Sequence, residues 1–459
     1  MKNIILWSIT LVYALIAYLF IFGVLSFLVH FEVPSYLEYD VNALRQYSIE
    51  DQHVYLVEER QFALDIRLAL IAHAQEQIDI SYYALHDGDS SDIFFGSLLT
   101  AAQRGVEIRF ILDGFIEGRG INDSTKMMLL ASHPNITIAH YEVFDIKAPY
   151  AVQNRLHDKL LIVDNKYGLI GGRNIGDRYF FDDPNLTNLT HDRDILVFGE
   201  PSKAVEDMSE YYDILFNSPY SSVLDSKENH QDYSYYLEDY ENYLTEQRLN
   251  LPELIDRVYQ DAFLVDNVTF LRSPLNRMNK EPVIFNTLIE LSHDYDDFII
   301  QSPYLIFSRP MRAMFSKLEY DDMVILTNHP YTNPNIFAVS GYLRIREELV
   351  INTRLFEYQK PLSLHTKTII MGDDISVIGS LNIDPRSAYL STESVVVIYD
   401  EAFNLYLRSV IDDYLEDSLE VSDTLNYLEG NIDPIEISNT RRIIAHIFKY
   451  LTYFFDEML

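Results

Sequence analysis

Two short segments of this 459-residue chain repeat a pattern whose residue types suit transfer of a phosphate ester. The first reads Arg155-Leu156-His157-Asp158-Lys159 and continues to Gly171-Gly172-Arg173-Asn174. The second reads Ser363-Leu364-His365-Thr366-Lys367 and continues to Gly379-Ser380-Leu381-Asn382. In both copies Lys follows His by two positions, Gly by fourteen and Asn by seventeen. An imidazole can attack phosphorus as a nucleophile or protonate a leaving oxygen. Ammonium and amide groups supply the charge and N–H donors that stabilise equatorial phosphate oxygens. If the copies meet at one cavity, His157 and His365 supply the two reacting imidazoles, and Lys159, Lys367, Asn174 and Asn382 hold the phosphate. This chemistry needs neither a metal nor a cofactor, and no carboxylate cluster of metal-ligand spacing occurs in the sequence. A single His-x-Lys on a strand would read as a surface pair; identical offsets in two copies make a shared site the better reading.

A reacting imidazole needs a partner that sets its tautomer. A carboxylate opens an apolar strand after each motif: Asp194 before Ile195-Leu196-Val197, and Glu393 before Ser394-Val395-Val396-Val397. A carboxylate at the head of a buried run is costly unless paired. The expected pairs are Asp194 with His157 and Glu393 with His365, with Asp192 competing in the first half.

The elements that must position these groups alternate between strand and helix patterns. Arg60 to Ala74 is predicted as an amphipathic helix, Gln77 to Tyr83 as a strand, Asp92 to Arg104 as a helix and Val106 to Gly114 as a strand. The plan recurs with helices over 285–297 and 310–318 and strands over 298–304 and 322–328, so that Ile80-Ser81-Tyr82-Tyr83 and Gln301-Ser302-Pro303-Tyr304 are equivalent. Such alternation predicts an α/β fold of two pseudo-symmetric lobes with the site at their interface. His and Lys two apart on an alternating strand would point to one face. The expected organisation is a transmembrane anchor over 1–31, a first lobe over 32–225, an acidic inter-lobe connection over 226–250, a second lobe over 251–435 and a C-terminal helix over 436–459.

Composition narrows the function. With 35 Lys+Arg against 70 Asp+Glu the net charge is −35, which repels nucleic acid at long range. The absence of Cys excludes thiolate and Cys-metal chemistry. From Asn3 to Val29 no residue is charged, and the run ends in bulky residues rather than a small-residue cleavage site, so an uncleaved membrane anchor is expected. Lys2 before this run and Glu32, Glu38 and Asp40 after it place the bulk of the chain on the non-cytoplasmic side. At the other end, Arg441, Arg442 and Lys449 stand among Ile443, Ile444, Ile447, Phe448 and Leu451. That pattern fits both a helix docked on the core and a helix at an anionic bilayer surface.

The doubled motif resembles the phospholipase D superfamily, marked by two copies of His-x-Lys-x4-Asp. The stretches Gly171-Gly172-Arg173-Asn174-Ile175-Gly176-Asp177 and Gly379-Ser380-Leu381-Asn382-Ile383-Asp384-Pro385-Arg386-Ser387 resemble its bacterial cardiolipin synthases more narrowly. The resemblance runs from about Phe62 to the C-terminus. It implies two phospholipase D-like lobes, each a mixed sheet flanked by helices, and a phosphatidyltransferase of the bacterial inner membrane acting on phosphatidylglycerol or phosphatidylethanolamine. It also implies His157 as nucleophile, His365 as general acid and then base, and Asp164 as the first motif's aspartate. The second motif departs from the pattern: Gly372 stands where Asp is expected, followed by Asp373 and Asp374. Weakened local support is expected there, with Gly372→Asp tolerated. The alternatives are a phospholipase D that passes the phosphatidyl group to water, a nuclease of the same superfamily, disfavoured by the charge, and a non-catalytic scaffold, disfavoured by the complete motif pair.

Overall fold

The computed structural model describes residues 2–24, 39–115, 125–183, 185–225, 232–278, 280–315, 322–453 and 455. In chain order its strands begin with β1 (Gln52–Val57), β2 (Gln77–Tyr82), β3 (Glu107–Asp113), β4 (Ile136–Tyr141) and β5 (Lys159–Val163). There follow β6 (Tyr167–Gly171), β7 (Thr190–His191), β8 (Asp194–Phe198), β9 (Ser221–Val223) and β10 (Phe263–Val265). The second half contributes β11 (Asn267–Arg272), β12 (Asp297–Gln301), β13 (Asp322–Asn328), β14 (Arg354–Tyr358) and β15 (Ser363–Leu364). It ends with β16 (Thr368–Met371), β17 (Ile375–Gly379), β18 (Ser394–Tyr399) and β19 (Ser418–Glu420).

Two large mixed sheets result. Their orders, β10-β1-β8-β6-β5-β2-β3-β4-β9 and β11-β18-β17-β16-β12-β13-β14-β19, match strand for strand once β10 is set aside. In each sheet three parallel strands, β2-β3-β4 or β12-β13-β14, carry helical crossovers, and the remaining neighbours pair antiparallel. Leu160, Leu161, Ile162 and Val163 are all buried, as strands covered on both faces require. One face of each sheet packs under its own helices. The other faces a core shared by both lobes, where Ile162, Ile170 and Ile195 meet Ile370, Ile378 and Val396. The duplicated α/β plan is therefore present, with the sheets stacked across a common apolar layer.

The lobe boundary differs from the expected one. Helix Ser234–Glu246 buries Tyr240 and Tyr243 in the first lobe's core, close enough that Gly96 admits no side chain beneath Tyr236 and Tyr240. Helix Leu251–Asp261 joins the same core, and β10 pairs with β1. The described part of the supposed connection is thus first-lobe structure, and the sheets change hands between Val265 and Asn267; residues 226–231 lie outside the described part.

At the N-terminus a helix spans Lys2–Gly23. Its end is tied to the first lobe by Gln153 Nε2, which donates to the Gly23 carbonyl at 2.8 Å. Among the described residues no helix is long and apolar enough to cross a membrane. The expected Asn3–Val29 span is not found in that form: the helix stops at Gly23, and residues 25–29 lie outside the described part. The C-terminal helix, Asn439–Leu451, is capped by Ser438 and lies on helix Ile336–Asn352. Arg344 donates to the Lys449 carbonyl at 2.7 Å, and Thr452 Oγ1 meets Ser340 Oγ at 2.7 Å. Only Ala445 of that helix is buried, and Ile443, Ile447 and Leu451 remain exposed. The helix is docked by one narrow stripe, with apolar residues left on its outer surface.

Candidate active site

His157 lies just before β5, and His365 lies between β15 and β16. The motifs therefore straddle the strand starts instead of presenting His and Lys on one strand face. Each histidine sits where the chain touches the opposite lobe. The His157 N–H donates to the Thr392 carbonyl at 3.1 Å, and the His365 N–H to the His191 carbonyl at 2.7 Å. Short parallel pairing of β15 with β7, and of Leu156 with Thr392, completes the junction.

These ties bring each imidazole to the carboxylate that follows in the opposite lobe. His157 Nδ1 is 2.9 Å from Glu393 Oε2, and His365 Nδ1 is 2.6 Å from Asp192 Oδ2. The expected pairs, Asp194 with His157 and Glu393 with His365, are corrected: the pairing is crossed, and Asp192 takes the place assigned to a carboxylate of the second lobe. Asp194 accepts from Arg67 at 2.8 Å and from Arg173 at 3.0 Å, with all three side chains buried. Burial did demand a partner for Asp194, but that partner is a guanidinium pair.

His157, His365, Asn174 and Asn382 line one cavity of about 340 Å³ between the lobes. The Oδ1 atoms of both asparagines are buried without a hydrogen-bond partner among the described residues. The lysines stand behind the imidazoles. Lys159 Nζ donates to the His157 carbonyl at 2.5 Å and faces the Tyr83 ring at 5.4 Å. Lys367 Nζ donates to the His365 carbonyl and lies 3.8 Å from Asp192 and 2.6 Å from His365 Nδ1, so ammonium and carboxylate share that side of the ring.

Burial holds both imidazoles neutral. It pushes His157 well below its usual range and His365 down to about 3, reinforced by Lys159 and Lys367 respectively. Burial also lowers Lys159 to about 7 and Lys367 to about 8, against the pull of nearby carboxylates. The two orienting acids diverge. Burial raises Glu393 to about 7, whereas at Asp192 the charge of Lys367 and the contact with His365 outweigh burial and hold it at about 2.

Asp164 takes no part in this cavity. At φ +52° it turns the chain after β5, and its carboxylate accepts the N–H groups of Gln75, Glu76 and Gln77 at 2.8–2.9 Å. The first motif's aspartate thus joins strand ends and does not meet the reacting groups. Gly372 has the same turn at φ +53°, but the Tyr295 ring fills the space where a side chain would begin, 2.4 Å from a Cβ position. The second lobe has replaced the carboxylate by a packed ring, so the expectation that Gly372→Asp is tolerated does not fit.

Among the lining residues that the sequence left unassigned are two tyrosines and two arginines. Tyr83 and Tyr304, the equivalent tyrosines of β2 and β12's ends, stand edge-on to His157 and His365 with ring centroids 5.0 and 5.9 Å away. Arg178 and Arg386 also line the cavity, each twenty-one positions after its lobe's histidine. Extending the offset comparison past Asn would have found the arginine pair.

Two stacked lobes that each place a His, an Asn and a Tyr at one cavity, with a buried Lys behind the imidazole, define a phosphodiester-processing enzyme fold of duplicated origin. The family model described as "Cardiolipin synthase, PLD-like domain" matches residues 68–215 and 288–415, and the chain belongs to this family of the phospholipase D superfamily. Similar relatives include an uncharacterized protein of Helicobacter pylori, 30% identical over 79% of each chain. Cardiolipin synthase C of Escherichia coli is 29% identical over 74% of this chain and 79% of its own. Among solved structures, phosphatidylserine synthase of Haemophilus influenzae covers 90% of this chain and 96% of its own with a TM-score of 0.62; at 13% identity this likeness concerns the fold.

Proposed function

We propose that the protein is a membrane-attached phosphatidyltransferase that forms cardiolipin from phosphatidylglycerol, with phosphatidylglycerol or phosphatidylethanolamine as donor, at the bacterial inner membrane. The observation that carries this reading is the pair of neutral imidazoles on one cavity, each held at Nδ1 by a carboxylate of the other lobe. With Nδ1 of His157 donating to Glu393, its Nε2 is the free nucleophilic atom; at His365 the Lys367 ammonium stands beside both Nδ1 and Nε2, and Nε2 is the atom that exchanges the proton. His157 Nε2 attacks the donor's phosphorus and forms a P–N bond, while the P–O bond to the head group breaks. His365 delivers the proton to the departing oxygen. The donor phosphodiester brings the negative charge that lets His365 carry this proton, and Asp192, ionised at neutral pH, stabilises the resulting imidazolium. Lys159, Lys367, Asn174 and Asn382 stabilise the charge on the equatorial oxygens. In the second half His365 accepts the proton of an incoming alcohol, the alcohol oxygen bonds to phosphorus, and the P–N bond breaks. The ionised Asp192 beside His365 supports its role as acid and base. Supported by its uncharged N-terminal run, the protein attaches to the membrane through that segment, with the lobes on the non-cytoplasmic side.

The test is lipid analysis after expression in a cardiolipin-free bacterial host, with His157→Ala and His365→Ala as controls. Cardiolipin is expected from the natural chain only, each variant losing several orders of magnitude in rate. A labelled donor should leave an acid-labile, base-stable phosphatidyl-histidine on the peptide around Arg155 to Lys159. Phosphatidic acid in place of cardiolipin would turn the reading to a hydrolase, and label at His365 would reverse the two histidines.

A further inference from the structure

The paired arginines are equivalent in sequence but not in surroundings. Arg386 stands on the His157 side, where its charge lowers that imidazole, and its guanidinium donates to Gln153 Oε1 at 3.0 Å. Arg178 stands on the other side. It lies over the Tyr179 ring at 4.7 Å and donates to the Tyr179 hydroxyl at 2.6 Å, and that ring is edge-on to His365 at 6.2 Å. Its Nε is buried without a hydrogen-bond partner, and among the described residues no carboxylate lies within ion-pair distance of it. A guanidinium on a cavity wall with bonding capacity unused is suited to an anion. The transferred phosphate is already provided for by the histidines, asparagines and lysines.

We propose that Arg178 binds a second phosphodiester, the one carried by the acceptor alcohol. This deepens the phosphatidyltransferase reading and rests on it. The acceptor hydroxyl must reach His365, one tyrosine ring away from Arg178. An alcohol that bears its own phosphodiester across a glycerol spacer sets that anion against the guanidinium while its hydroxyl meets His365 Nε2. Water and uncharged alcohols gain nothing from Arg178. The chain's net charge of −35 repels anions at long range, so a local cation at the acceptor side has selective value. In the second half-reaction the hydroxyl proton passes to His365, the alcohol oxygen bonds to phosphorus, the bond to His157 Nε2 breaks, and Arg178 stays paired with the untouched phosphodiester.

The experiment compares two acceptors in mixed micelles of the full chain with donor phospholipid: phosphatidylglycerol and an uncharged monoacylglycerol. For Arg178→Gln the ratio of kcat/KM between the two is expected to fall about tenfold or more, through the KM of phosphatidylglycerol. Arg178→Lys should restore part of it, and it serves in place of Arg178→Gln if that variant does not fold. An unchanged ratio, or an equal fall for both acceptors, would overturn the proposal. If the natural chain transfers to neither acceptor and only hydrolyses, the transferase reading fails separately. Glycerophosphoglycerol should then still inhibit hydrolysis, with an inhibition constant raised about tenfold in the Arg178 variants; no inhibition, or an unchanged constant, would overturn the subsite itself.

Discussion

Two aspartates only two positions apart, Asp192 and Asp194, carry opposite burdens. Asp192 faces the His365 imidazole across the lobe junction, whereas Asp194 neutralises Arg67 and Arg173 inside the first lobe. Asp192→Asn should therefore leave the fold intact and lower kcat roughly 10²–10⁴-fold, because the imidazolium of His365 loses its counter-charge. Asp194→Asn should instead lower stability by about 3–5 kcal/mol, since two buried guanidiniums lose their carboxylate. Urea unfolding with lipid turnover on both variants separates these outcomes; a stable but inactive Asp194→Asn would restore that residue to the chemistry. The lysines add a pH dependence. Burial lowers Lys159 to about 7 and Lys367 to about 8, so both lose their charge as pH rises through that window. Because kcat/KM reports the free enzyme, it should fall on the alkaline side with a midpoint near 7–8, and a profile flat to pH 10 would show that the ammoniums are not needed.

Among the elements, the turn between β5 and β6 and its counterpart between β16 and β17 show how a duplicated fold drifts without losing its geometry. Asp164 bonds three N–H groups at the start of β2, while Gly372 lets Tyr295 close the same gap by packing. Gly372→Asp should cost about 1–3 kcal/mol, because the new side chain must displace the Tyr295 ring. Thermal unfolding measures this, and a variant as stable as the natural chain would show that Tyr295 swings clear at no cost. Sequence reading placed the crossover strands and helices of both lobes within a few residues, because their periodicity is strong and local. It misjudged helix Ser234–Glu246 as a connection because that helix buries tyrosines rather than aliphatic residues, and its acidic face dominates the composition.

For the molecule as a whole, the surface around the cavity bears on how it meets lipid. The C-terminal helix leaves Ile443, Ile447 and Leu451 exposed, and its Phe448 touches Phe337, a residue of the cavity wall. Arg441 is engaged with the Asn333 carbonyl, and Arg442 lies over the Tyr331 ring. The full chain is expected to sediment with anionic vesicles. A chain lacking residues 2–24 should do so weakly at low salt and be released at high salt, because the remaining contact relies on screened charge. A truncated chain that never sediments would confine membrane contact to the N-terminus, and equal sedimentation of both forms would remove the N-terminal segment from it.

By itself the sequence determined the duplicated α/β plan, the two His-x-Lys motifs, the asparagines and the family, because these rest on local periodicity and on offsets within one lobe. The tertiary structure decided who partners whom. Glu393 reaches His157 because Leu156 pairs with Thr392 across the junction, and Asp192 reaches His365 because β7 pairs with β15. No spacing within a lobe records that crossing. The choice between Asp192 and Asp194 was settled by the break between β7 and β8: on an unbroken strand two residues that far apart would share a face, but Asp192 lies in the break and meets His365, whereas Asp194 heads β8 and meets the guanidiniums.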